Sequence, residues 1–136
     1  MRLAPELLDE IVEHARRDAP NECCGLVGVR DGEAFAVIAA ANSEASPFRF
    51  NIDGRELLHA IDQIEEAGGE LGAVYHSHTR SEPVPSQTDI TFAANWPGLE
   101  WIIVGLAGGD PDVRSFLIDG AEVRQVGLDN GPEAHR

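Results

Sequence analysis

Tyr75-His76-Ser77-His78-Thr79-Arg80-Ser81-Glu82-Pro83-Val84-Pro85-Ser86-Gln87-Thr88-Asp89 is the stretch that decides the fold. It is entered through an apolar run from Leu71, which predicts a buried strand ending at His78. Side chains alternate faces along a strand, so His76 and His78 project from one side and Ser77 from the other. Residues 79–85, with two prolines, read as an irregular polar loop. Ser86 and Asp89 have the S-x-x-D spacing of a reciprocal helix cap. That spacing predicts a helix from 86 to about 95, ending before the turn Trp96-Pro97-Gly98.

Two imidazoles two residues apart on a strand can bind one cation, at Zn–N distances of about 2.0–2.1 Å. Asp89 lies in the first turn of the following helix, where the loop can swing its carboxylate back to the strand end. Three protein ligands with a fourth position left for water is the catalytic pattern of zinc, whereas structural zinc sites are closed. Taken singly, the residues have plainer readings. A His-x-His pair is more often ordinary core or surface histidine, and Ser86 with Asp89 is adequately explained as a cap. Both readings can hold together, because a capped helix is a rigid mount for a ligand.

Working outward, residues 5–18 predict a helix with Pro5 in its first turn and Leu7, Leu8, Ile11, Val12 and Ala15 at helical spacing. Residues 25–30 and 34–41 are apolar runs joined by Asp31-Gly32, a hairpin signal. A second helix is predicted after Asp53, with Glu56 completing a capping box, a stripe of Leu57, Ile61 and Ile64, and Gly68-Gly69 as its stop. Residues 99–107 predict a core strand, and 112–118 with 121–126 a hairpin through Asp119-Gly120. One domain over 1–128 with a polar, frayed tail at 129–136 is expected. The mixed order of elements predicts an α/β (α+β) domain, a central sheet flanked by helices.

Composition narrows the function classes. The chain has 136 residues, 43% hydrophobic and 25% charged, which suits one soluble domain. Its formal charge of −14 argues against nucleic acid, whose phosphates require clustered Lys and Arg. All ten basic residues are arginine. No apolar run approaches the roughly 18–20 residues that span a bilayer, and the first residues lack the apolar stretch of a secretory signal, so no membrane partner and a cytoplasmic location are expected. Cys23 and Cys24 are neighbours, unsuited to a stapling disulfide, and read as a buried structural pair. His14, His59 and His135 need no special role.

His76-Ser77-His78, seven residues, Ser86, two residues, Asp89 resembles, without a departure, the H-[ST]-H-x7-S-x2-D signature of the JAMM (MPN-plus) metallopeptidases. The resemblance runs from about residue 3 to 126. It implies a single JAMM/MPN domain with a mostly antiparallel sheet and a cytidine-deaminase-like architecture. It implies one Zn²⁺ on His76, His78 and Asp89 with a bound catalytic water, Glu22 as general base and then acid, and Ser86 as a donor to the oxyanion. The role of Glu22 rests on the resemblance alone, since a lone glutamate in a polar turn ordinarily is solvated. The segments 15–25, 42–50 and 75–79 are most similar to the small bacterial members that release cysteine from a ubiquitin-like sulfur-carrier protein with a C-terminal Gly-Gly tail. That carrier is the expected partner, and a homodimer is left open.

Other readings compete. A deubiquitinase-like isopeptidase of a prokaryotic ubiquitin-like modifier uses the same chemistry. A non-catalytic MPN scaffold ordinarily has lost ligands, and here every motif position is filled. A two-His-one-carboxylate iron oxygenase uses the same ligand types. A zinc nucleobase deaminase needs a P-C-x-x-C pair, which this sequence lacks.

Overall fold

A computed structural model describes residues 1–128 of the chain; the expected tail at 129–136, with His135, lies outside them. Pro5 opens helix α1 (Pro5–Asp18), whose apolar side buries Ile11 and Ala15 against the sheet. Strands β1 (Cys24–Arg30) and β2 (Glu33–Ala40) form the expected hairpin. Asp31 and Gly32 both take positive φ, 52° and 79°, the two-residue turn whose twist matches the strands it joins. Helix α2 (Gly54–Glu66) comes next, then β3 (Glu70–His78), α3 (Gln87–Ala93), β4 (Glu100–Gly105), β5 (Asp112–Asp119) and β6 (Glu122–Val126).

The six strands make one sheet in the order β2-β1-β3-β4-β5-β6. Only β3 and β4 run parallel; every other neighbouring pair is antiparallel. A parallel pair needs a crossover, and the loop after His78 together with α3 supplies it. β4 is covered on both faces and reads as the unbroken run Trp101-Ile102-Ile103-Val104, whereas β6 is largely solvated and carries Glu122, Arg124 and Gln125. The expected mostly antiparallel sheet flanked by helices is the architecture observed.

Strand alternation divides the core in two. Leu3, Ile11, Ala15, Cys23, Val27, Ala73, Tyr75, Ile102 and Val104 pack on the face under α1. Leu26, Phe50, Ile52, Ala60, Val74, Ala93 and Trp101 pack on the opposite face with α2 and α3. In β3, therefore, Tyr75 belongs to one layer while His76 and His78 open toward the other.

Two local expectations are corrected. Glu56 does not close a capping box on α2; Asp53 alone caps it, accepting from the Arg55 amide at 2.9 Å. The Glu56 carboxylate instead accepts from the Ala41 amide at 2.9 Å, because the chain leaving β2 passes within its reach. α3 ends at Ala93, where turn bonds from the Asn95 and Trp96 amides to the Phe92 and Ala93 carbonyls close the element early.

Candidate metal centre

The site forms at the carboxyl end of β3. His76 and His78 stand two residues apart on one face, both buried. The cap predicted from sequence is present: Ser86 Oγ accepts from the Asp89 amide at 3.1 Å, and Asp89 Oδ2 accepts from the Ser86 amide at 2.9 Å. This cap fixes the Asp89 carboxylate over the strand end. Its Oδ2 lies 3.1 Å from His76 Nε2 and 3.2 Å from His78 Nε2, and the two nitrogens are 3.2 Å apart.

Those three atoms form a nearly equilateral triangle. Ligands held by tetrahedral zinc at about 2.0–2.1 Å lie about 3.3–3.4 Å from one another, so the triangle has the dimensions of one face of that tetrahedron. Proton accounting points the same way. His78 Nδ1 lies 2.8 Å from the Glu82 carbonyl oxygen, which only accepts, so Nδ1 carries the hydrogen. Neutral His78 therefore presents a bare Nε2 lone pair to a carboxylate oxygen. A cation among the three atoms, or a proton on His78, relieves the mismatch. A metal-ligating histidine ordinarily donates its second nitrogen to just such a carbonyl.

The electrostatics arise from burial and mutual contact. Burial lowers His78 basicity, but the Asp89 carboxylate and the Glu82 carbonyl outweigh it and raise its pKa. His76 is wholly enclosed, and desolvation lowers its pKa despite Asp89. Burial opposes ionisation of Asp89, yet the two imidazoles and the Ser86 amide hold it far below the usual carboxylate range. Among the described residues, His76 Nδ1 is the buried side-chain nitrogen left without a partner.

Glu22 arrives from the far end of the sequence because Cys24 pairs with His76 across β1 and β3. It is only 5% exposed, and it joins His76 and His78 in a group whose ligand atoms all lie within 4.8 Å of one another. Desolvation pushes its carboxyl up to about 7, with His78 opposing and Asp89 reinforcing the shift. Glu22 and Asp89 thus differ sharply: one is poised to exchange a proton near neutrality, the other stays ionised.

Several residues that build the site were not singled out from sequence. Ser77, on the reverse face, accepts from the Cys23 amide at 2.8 Å through its Oγ and so clamps the residue after Glu22 to the strand bearing both histidines. The 42–51 loop holds the Glu22 backbone on both sides. The Glu22 amide donates to the Ser46 carbonyl at 2.8 Å, and the Glu22 carbonyl accepts from Asn42 Nδ2 at 3.0 Å. At the end of that loop Phe50 stacks on the His76 ring, centroids 4.5 Å apart. Phe50 also lines a cleft of about 450 Å³ between the loop and α3, together with Arg49, Thr88 and Thr91. Gly105 leaves room for the crossover loop: a Cβ there would meet Pro83 at 2.8 Å, and Pro83 comes directly after the carbonyl that orients His78. Asn42 carried an Asx-turn signal; the others had none, because their partners are distant in sequence.

Cys23 and Cys24 are buried and unlinked, and burial raises both thiols to about 12. They remain protonated and act as packing groups. His59 is exposed on α2. His14, by contrast, has a definite place: its Nδ1 lies 2.7 Å from the Tyr75 hydroxyl and its Nε2 lies 3.1 Å from Asp18.

Residues 4–119 match the Prok-JAB family model, described as prokaryotic homologs of the JAB domain. The chain is 34% identical over 122 residues to a CysO-cysteine peptidase of Mycobacterium tuberculosis, covering 85% of this chain and 82% of that one. It is 38% identical over 111 residues to a desampylase of Haloferax volcanii, covering 76% and 78% respectively. A solution structure from Desulfitobacterium hafniense superposes with a TM-score of 0.82 at 32% identity, covering 99% of this chain and 97% of that one. With residues 4–119 matched by the family model and a relative 34% identical over most of both chains, this chain belongs to the prokaryotic homologs of the JAB domain.

Proposed function

We propose that this protein is a zinc-dependent hydrolase that cleaves the amide bond after the C-terminal glycine of a ubiquitin-like sulfur-carrier protein and releases cysteine from a carrier–cysteine adduct. In this reading His76, His78 and Asp89 hold the metal through the triangle of Nε2, Nε2 and Oδ2 atoms. When bound, zinc supplies Lewis acidity toward the scissile carbonyl and acidifies a water molecule.

The chain's own groups do the rest. Glu22 takes the proton from the attacking water at a carboxylate oxygen and returns it to the departing amine, a task that suits a carboxyl lifted to about 7. Ser86 Oγ uses a lone pair to accept from the Asp89 amide, which leaves its hydroxyl hydrogen available to the oxyanion. One such donor is typically worth about 2.7–4 kcal/mol in the transition state. Asp89 and the Glu82 carbonyl fix the two imidazoles, so the reacting groups are oriented before substrate arrives.

The observation that carries the reading is the coexistence of the donor triangle with a buried glutamate beside it. The relative named for a CysO-cysteine bond supports the substrate class, and the relative named desampylase supports an isopeptide conjugate as the second reading. Zinc-loaded protein should remove cysteine from a carrier–cysteine adduct, seen as a mass decrease by intact mass spectrometry and abolished by chelation. A lysine-linked carrier conjugate serves as the second arm. Cleavage of the second alone would transfer the assignment to the isopeptidase; cleavage of neither by metal-loaded protein would sink both. Glu22→Gln should keep the zinc and lose turnover.

A further inference from the structure

We propose that the free edge of β2 and the adjoining side of α1 form a two-fold interface between two copies of this chain, joining their sheets into one. β2 is the first strand in the sheet order, so one of its edges has no partner strand among the described residues. Its start is covered: Arg2 runs parallel to Glu33, with the Ala34 amide donating to the Arg2 carbonyl at 2.8 Å. Phe35 is then skipped in the register with β1, a bulge that ends this covered portion. Beyond the bulge the strand continues as Ala36-Val37-Ile38-Ala39-Ala40, five residues without a charge, a proline or a further bulge. An uncharged flat edge is what soluble proteins ordinarily avoid leaving to solvent. The opposite edge obeys that rule, since β6 carries Glu122 and Arg124.

The neighbouring helix says what covers the edge. Glu10, Glu13 and Arg17 of α1 share a cleft of about 170 Å³ with Val37 and Ala39 of β2, so this charged side of the helix runs beside the open strand. Its charges are polarised: Glu6, Asp9, Glu10 and Glu13 occupy the first part and Arg16 and Arg17 the last turn, where Asp18 is turned to His14 at 3.1 Å. Among the described residues, Glu10, Glu13 and Arg17 make no ion pair. A two-fold axis normal to the sheet near Ile38 pairs the two β2 strands antiparallel and sets the two α1 helices antiparallel above them. Glu10 and Arg17 both line the cleft that Val37 and Ala39 line, so both members of the pair flank β2. The acidic half of each helix then faces the basic end of the other, Glu10 against the partner's Arg17 and the reverse. A second copy supplies this complementarity with no further assumption. The net charge of −14 opposes approach at long range, but at about 0.15 M salt the screening length is about 8 Å, and contacting pairs are much less affected. The interface uses none of His76, His78, Asp89, Glu22 and Ser86, so its test is read separately from that of the proposed chemistry.

Sedimentation velocity of the full, zinc-loaded chain tests it. The wild type should sediment at twice 14.7 kDa. Ala39→Glu, at an exposed position, should be monomeric with an unchanged circular dichroism spectrum. Arg17→Glu and Glu10→Arg should each weaken the dimer at least about tenfold, and the double variant should regain most of that loss. Monomeric wild type at every soluble concentration overturns the proposal. So does a dimer that survives Ala39→Glu, a double variant no tighter than the single ones, or protection of β2 amides that appears only when a carrier protein is added.

Discussion

Replacing Ser77 by alanine isolates the link between the two halves of the site. Ser77 is fully buried on the face away from the histidines, so the substitution touches neither the proposed metal ligands nor Glu22. Its Oγ is the acceptor for the Cys23 amide at 2.8 Å, and Cys23 is itself fully buried. Alanine leaves that amide with no partner and no access to water, which costs about 1–3 kcal/mol. An unfolding entropy of about 2.1 cal/mol/K per residue gives roughly 0.29 kcal/mol/K for a domain of this size, so Tm should fall by about 3–10 °C. Because the broken link holds the segment that carries Glu22 and involves no imidazole or carboxylate of the proposed ligand set, zinc stoichiometry should stay at one per chain while kcat falls more than KM changes. Differential scanning calorimetry, metal analysis and steady-state kinetics on the same preparation read all three. A Tm within about 1 °C of wild type would refute the reasoning, since it would mean the Cys23 amide finds another acceptor at no cost.

Asn42→Ala should retain zinc and lower kcat roughly 100-fold, because freeing the Glu22 backbone misplaces the proton carrier; stopped assays with metal analysis decide it, and unchanged kcat would detach the loop from the chemistry. Metal removal should lower Tm, and at zinc a hundredfold above Kd the stabilisation of about 2.7 kcal/mol corresponds to roughly 9 °C, measured by a thermal scan with and without chelator. Asp89→Ala should abolish that zinc-dependent shift and also remove the reciprocal half of the α3 capping box, the acceptor for the Ser86 amide, so its metal-free Tm should fall as well. His14 is held neutral, with burial lowering its pKa against the pull of Asp18. The unfolded chain therefore takes up the proton first as pH falls below 6.5, and stability is lost on acidification. His14→Gln should flatten that part of the Tm–pH curve relative to wild type; an identical slope in both would remove His14 from the acid response.

What sequence disclosed and what it concealed divide by range. The pairing of His76 with His78 comes from strand alternation, and the mounting of Asp89 from a four-residue cap; both signals are local, and both appear in the structure with the expected partners. The Asp31-Gly32 turn is legible for the same reason, since two positive φ values demand such residues. Glu56 shows the limit of local reasoning: its spacing fits a capping box, but a tertiary acceptor role at the Ala41 amide wins. Glu22 could be reached only through family resemblance. Nothing in a polar turn announces that β1 will deliver it beside His76, more than fifty residues away. Phe50, Ser77 and the Glu82 carbonyl were hidden likewise, each serving a partner chosen by the fold.

Asn42 exhausts its hydrogen-bonding capacity. Its Nδ2 reaches the Glu22 and Arg49 carbonyls, at 3.0 and 2.9 Å, and its Oδ1 receives the Glu44 and Asn51 amides, at 3.0 and 3.1 Å. One side chain thereby latches both ends of the 42–51 segment and the backbone of Glu22. Its bonds to Glu44 and Arg49, like the one from the Glu22 amide to Ser46, are to main-chain atoms, so the side chains from Glu44 to Arg49 take no part in the latch itself. They form an exchangeable cassette: side chains there can change while the latch keeps Glu22 in its place.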